Sequence, residues 1–212
     1  MNNSMPISLD QFLDYTPADF EEVDKEILRV TKKVPAKYVG ISSSADGDKH
    51  KCLELVEKED RDWSVWLLVD QTEFGDHDYY SPREWNPMAS RLFPKLCKFI
   101  ESLPIVHVGR AIIMGIDANY EVTKHVDTQF LPDAPPVPDY DRLLNISFGH
   151  KKQLYMYDEE TETKDYFDGR INWIDVSSMH GVDPDPFPTF SVRVDAHLKP
   201  EFRERIRNEY NV

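Results

Sequence analysis

The chain has 212 residues, 40% of them apolar and 30% charged, and a formal net charge of −14 at pH 7. Such a length buries a full core, and the composition is that of an ordinary globular protein. The acidic surface repels phosphate backbones and anionic bilayers, which argues against nucleic-acid and membrane partners, and no apolar run approaches the roughly 20 residues of a membrane-spanning helix.

The opening MNNSMPISLDQF lacks the basic and apolar blocks of a secretory leader, so a cytoplasmic location is expected. Residues 9–33 carry apolar side chains at helical spacing, interrupted by Thr16-Pro17-Ala18-Asp19. Thr16 suits an N-cap and Pro17 a first helical position, so the pattern predicts a short helix, a turn, and a helix to about Lys32. Extended pieces are expected at 37–42 and 52–57, around a turn-like SSSADG, and WSVWLLVD (63–70) reads as a strand. Between Trp85 and Leu103, the residues Leu92, Leu96, Phe99, Ile100 and Leu103 form one helical stripe, with a kink or late start expected at Pro94. After Pro104 the pattern changes to short strands: IVHVGRAIIMGI, YEVTKHVD, RLLNISFGH, KQLYMYD, TKDYFD, INWIDV and TFSVRVD. Cys52 and Cys97 match no zinc spacing and are expected as buried free thiols.

Helices followed by many short strands imply an α+β fold. The expected form is a double-stranded β-helix (jelly-roll, cupin-like) barrel with flanking helices and an N-terminal helical extension. As a single domain, 1–35 would be the helical extension and 36–103 the flanking strands and helix. The jelly-roll core would span 104–198, with a C-terminal helix at 199–212.

His125-Val126-Asp127 is the most informative motif. On an extended segment, side chains at i and i+2 project from one face, so His125 and Asp127 can converge on one metal. Two imidazoles and a carboxylate form the facial triad of non-haem iron oxygenases. A third ligand from another strand is then required, and His180 lies 55 residues downstream. Both positions fall at strand ends, which is where a metal at the mouth of a barrel would be reached.

The run from Gly169 to His180 has the pattern G-x5-D-x-S-x-x-H. It resembles the distal-histidine segment of Fe(II)/2-oxoglutarate-dependent oxygenases, in particular the aspartyl/asparaginyl β-hydroxylase-like and bacterial proline hydroxylase-like enzymes. A terminal strand ending in Val194-Asp195, then HLKPEFRERI, extends the resemblance over residues 104–208. It implies that His125, Asp127 and His180 hold Fe(II), and that 2-oxoglutarate binds beside them as co-substrate and is converted to succinate and CO2. Asp175 and Ser177 would orient His180 or form its turn. Asp127 also argues for hydroxylation or desaturation over halogenation, because halogenating relatives lack the metal carboxylate. Metal affinity should fall at acid pH, where the imidazoles protonate.

The distal carboxylate of 2-oxoglutarate needs a cation. In the family that cation is an arginine about ten residues past the distal histidine. Here the first basic residue is Arg193, thirteen residues on. Thr189, Ser191, Arg193 and Asp195 share one face of their strand, so Arg193 with Ser191 is the expected anchor. Arg142 is the alternate, with Asn145 and Ser147 as uncharged donors on its strand. Arg83, Arg110 and Tyr140 are candidate substrate contacts; Trp63, Trp66 and Trp173 read most simply as core or sheet-face aromatics, with barrel lining the alternative for Trp173. The Pro-rich stretch 128–141 reads either as a solvated loop or as a lid over the iron.

The expected activity is hydroxylation of an amino acid, a peptide residue or an amino-acid-derived small metabolite. A cupin-like metalloenzyme without 2-oxoglutarate, and a non-catalytic barrel-shaped binding module, are the competing readings.

Overall fold

The computed structural model describes residues 7–34, 36, 38–40, 63–70, 79–126 and 142–210. In chain order these form β1 (Ile7–Ser8), a 3-10 turn at Asp10–Phe12, α1 (Pro17–Thr31), β2 (Tyr38–Gly40) and β3 (Trp63–Leu67). Two helices follow, α2 (Pro87–Leu92) and α3 (Pro94–Glu101), then β4 (Ala111–Ile116), β5 (Val122–His125), β6 (Arg142–Phe148) and β7 (Leu154–Asp158). The chain continues through β8 (Thr163–Tyr166), β9 (Ile171–Asp175), β10 (His180–Val182), β11 (Thr189–Val194) and α4 (Pro200–Tyr210). Among the described residues no helix is long and apolar enough to cross a membrane.

The strands make two antiparallel sheets, one ordered β1-β9-β6-β11-β4-β3-β2 and the other β5-β10-β7-β8. Period-two alternation divides the larger sheet into two faces. Leu144, Ile146 and Phe148 of β6, with Val192 and Val194 of β11, join the core beneath α1, α3 and α4. The opposite face carries Leu143, Ile116 and Ile174, which pack with Leu154, Met156 and Val182 of the smaller sheet. The two sheets are therefore layered face to face, with helices covering the outside of the larger one. The α+β class is as expected from the sequence.

Helix placement follows from local chemistry. Asp19 accepts from the backbone N–H and the hydroxyl of Thr16, each at 2.7 Å, and Pro17 sets the first turn of α1. The stripe at 85–103 is two helices that meet at Phe93, because Pro94 cannot continue the first. Phe20, Phe99 and Phe148 form a three-ring contact, with centroids 5.3–6.0 Å apart, that locks α1 and α3 onto β6. Glu26 on α1 is buried, and its carboxylate accepts from the backbone N–H groups of Lys95 and Leu96, at 3.2 and 2.9 Å. These are orphan donors in the first turn of α3, so an acidic residue is stabilised inside the core. Cys97 is buried, and burial, with Glu101 and Glu26 nearby, pushes its thiol up to about 12. Cys52 lies outside the described residues.

Several expectations need correction. The strand expected from Ile105 starts only at Ala111, because the preceding N–H groups leave the ladder. Val106 donates to the His197 carbonyl and Arg110 to the Tyr79 carbonyl. The N-terminal segment also contributes more than helix, since β1 pairs with β9 at the edge of the larger sheet. Trp173 is a core aromatic, as its simplest reading had it, and the alternative of lining the interior fails: it packs in the helix-side core beside Leu144, and alternation turns Asn172 and Ile174 inward.

Candidate active site

His180 opens β10 and stands directly across from His125, the last residue of β5. Their rings lie 4.5 Å apart between centroids, tilted by 51°. Each Nδ1 faces a backbone carbonyl two residues back, His125 that of Thr123 at 2.8 Å and His180 that of Ser178 at 2.9 Å. A carbonyl oxygen only accepts, so each neutral ring carries its proton on Nδ1 and its lone pair on Nε2. That is the tautomer an imidazole needs to ligate a metal through Nε2.

The turn before β10 fixes this geometry. Asp175 accepts from the backbone N–H of Ser177 at 3.0 Å, from its hydroxyl at 2.6 Å, and from the Ser178 hydroxyl at 3.4 Å. These bonds hold the loop whose Ser178 carbonyl orients His180. Gly181 follows immediately, where a Cβ would come within 2.5 Å of the Tyr155 hydroxyl and 2.9 Å of the Val122 carbonyl. Among the described residues no group of three His, Cys, Asp or Glu side chains could hold a metal. Asp127, the expected third ligand, lies outside them, as do Tyr140 and the stretch 128–141.

Part of the inward face of the larger sheet is polar and cationic. Asn172, Asn145 and Arg193 stand side by side across β9, β6 and β11, and Ser147 faces Ser191 one step along. Arg193 donates to both oxygens of Asp195 at 3.2–3.3 Å, and Asp195 also accepts from Arg110 Nε at 2.7 Å. Arg110 is only 2% exposed, its guanidinium 3.5 Å over the Tyr79 ring, so it is an interior residue. Three buried polar atoms here have no hydrogen-bond partner among the described residues: Arg110 Nη2, Asn145 Nδ2 and Asn172 Oδ1. Arg83 packs elsewhere, donating to the Asp70 carbonyl. Arg142 opens β6 opposite Asp175, and its side chain is outside the described set.

Lys152 was missed by sequence reasoning. It is buried between β6 and β7, and its ammonium donates to the Ser191 hydroxyl at 3.1 Å. Burial, then the neighbouring Arg193 charge, pull it down to about 8. One signal was available: Lys152 precedes Leu154 and Met156 at period two, and both of those face inward.

No family model matches the sequence, and no curated protein matches it. Among solved structures the chain is similar to a prolyl hydroxylase from Trichoplax adhaerens in complex with a hypoxia inducible factor oxygen degradation domain peptide fragment. The TM-score is 0.53 and the identity 12%, over 96% of this chain and 88% of that one. A Pseudomonas putida prolyl-4-hydroxylase aligns at TM-score 0.46 and 12% identity, covering 92% of each chain. The viral collagen prolyl hydroxylase of Paramecium Bursaria Chlorella virus-1, a 2OG complex, aligns at 0.46 and 11%, over 91% of this chain and 96% of that one. The chain shares the fold of the Trichoplax enzyme. At such identity the likeness speaks for the fold alone, and the chemistry has to come from the residues.

Those residues suit a metal and an anion. Two imidazoles with Nε2 lone pairs form two-thirds of a facial ligand set. The unpartnered Asn145 and Arg110 donors and the lysine ammonium are what a carboxylate ligand would satisfy.

Proposed function

We propose that this protein is an Fe(II)- and 2-oxoglutarate-dependent dioxygenase that hydroxylates an amino acid, a peptide residue or an amino-acid-derived small metabolite, with release of succinate and CO2. The observation that carries this reading is the cross-strand imidazole pair. His125 and His180 are register partners with both Nδ1 atoms bound to carbonyls. His125, Asp127 and His180 would hold the iron. When bound, iron and 2-oxoglutarate together supply the oxidising chemistry that activates oxygen toward a substrate carbon. The protein's own part is to orient the imidazoles through Thr123 and Ser178, and to offer an interior of buried donors to the co-substrate carboxylate. The peptide held by the Trichoplax enzyme makes a peptide residue a reasonable first substrate class to screen.

The test is binding first and turnover second. Protein purified without chelator should take up one Fe(II) or Mn(II), and 2-oxoglutarate should bind only once metal is present or bind more tightly with it. Succinate release should rise when the right amino acid or peptide is added. Undiminished metal uptake after His125→Ala would refute the site. Wild type that holds metal without binding 2-oxoglutarate would shift the reading to a metalloenzyme that binds substrate directly.

A further inference from the structure

Every cation in the interior of this fold has to be matched by an acceptor, because an unpaired buried charge is costly. Arg193 and Arg110 meet Asp195, which is itself 1% exposed. Lys152 is different. It is 6% exposed, and among the described residues no carboxylate pairs with it. Among the described residues its one hydrogen bond is to the neutral Ser191 hydroxyl, and the charged group acting on it is Arg193, of the same sign. An ammonium has three donors, and an arrangement that satisfies one of them with a hydroxyl leaves room for an anion.

The geometry points to Lys152, rather than Arg193, as the residue that holds the distal carboxylate of a short dicarboxylate in the interior, with Ser191 and Asn145 as neutral donors. This assignment rests on the dioxygenase reading for the identity of that diacid as 2-oxoglutarate, but the anion site itself stands on the lysine's surroundings. Ser191 is fully buried, and Asn145 presents an unpartnered Nδ2 on the same face of the sheet, one step along from Ser147. Arg193 already donates to both oxygens of Asp195. Placement also selects the ligand. Lys152, Leu154 and Met156 follow one another at period two, and Met156 is the register partner of His180. The ammonium and the imidazole pair therefore lie toward opposite ends of one strip walled by Leu154 and Met156. A ligand that engages both ends needs two carboxylates, whereas a monocarboxylate engages only one.

The experiment is calorimetric titration of the full chain with 2-oxoglutarate in the presence of Mn(II) without oxygen, and with glutarate in the absence of metal. Wild type, Lys152→Met and Arg193→Met are compared, and Mn(II) affinity is measured separately by paramagnetic resonance. Lys152→Met should weaken both diacids by at least about 30-fold, the scale of a lost buried charge contact, while Mn(II) affinity stays within about threefold. A variant-free readout guards against misfolding. Glutarate binding to wild type at pH 8.5, measured in two buffers of different ionisation enthalpy, should take up a proton that it does not take up at pH 6.5. Diacid affinity unchanged in Lys152→Met, with no proton uptake, overturns the lysine assignment and leaves the dioxygenase reading standing. Lysine-dependent glutarate binding in a wild type that holds no Mn(II) does the reverse. Failure of wild type to bind either diacid overturns the anion site.

Discussion

Replacing Lys152 with methionine should make the ligand-free protein more stable. The side chain stays unbranched, is one heavy atom shorter and loses its charge. Burial and the Arg193 charge lower the lysine from 10.5 to about 8. At about 1.4 kcal/mol per pH unit, that is roughly 3 kcal/mol of destabilisation carried by the folded state at neutral pH. Losing the Ser191 hydrogen bond offsets about 1 kcal/mol, so a net gain of about 2 kcal/mol remains. For a chain of this size that raises the melting temperature by about 4–8 °C. The sign of the pH dependence follows from proton counts. Between about 8 and 10.5 the unfolded chain binds more protons at this lysine than the folded one. Wild-type stability therefore rises with pH across that window, and the penalty is fully present below it. The gap between variant and wild type should be widest at pH 7 and close by about pH 10.5. Urea denaturation of both proteins at pH 7, 9 and 10.5, without metal or 2-oxoglutarate, measures this directly. A variant less stable than wild type at pH 7, or a gap that does not shrink with pH, would show that Lys152 is satisfied in the free protein, and the anion-site argument would fail with it. A gain would mark a residue retained for binding at the expense of stability.

Four further outcomes are expected. His180→Ala should abolish metal uptake, read by metal analysis, while far-ultraviolet circular dichroism stays native; retained stoichiometric metal would place the site elsewhere. Gly181→Ala forces a methyl against the Tyr155 hydroxyl and the Val122 carbonyl. It should destabilise by about 1–3 kcal/mol and weaken metal binding about 10-fold by shifting His180, checked by denaturation and Mn(II) titration. Affinity for glutarate without metal should be level below about pH 8, where free Lys152 is already protonated, and fall toward tenfold per unit above it, which calorimetry across pH 6.5–9.5 would reveal. Glu26→Ala leaves the buried N–H groups of Lys95 and Leu96 without acceptors, so chemical denaturation should show a loss of about 2–4 kcal/mol, with metal binding unaffected.

The division between what sequence and tertiary structure each decided follows the range of the forces. Local chemistry was legible directly. Thr16-Pro17 starts α1, Pro94 splits α2 from α3, and alternation along β6 and β11 separates Leu144, Ile146 and Val192 from Asn145, Ser147, Ser191 and Arg193. Each of these depends on a side chain acting on its own backbone, or on the period of a single strand. The order H-x-D, then D-x-S-x-x-H, singled out His125 and His180, and Asp175 was expected at the turn that the structure shows it bonding. Other features needed partners far along the chain. β10 is three residues long and exists only because β5 and β7 flank it, and that pairing sets His180 across from His125. Glu26 carries no local sign of burial, and Lys152 only its period-two spacing to Leu154 and Met156, which does not say what covers it. Only the tertiary structure places Glu26 against the α3 N-terminus and Lys152 between the two sheets, because burial is a property of the whole packing and register is chosen by contacts many residues apart.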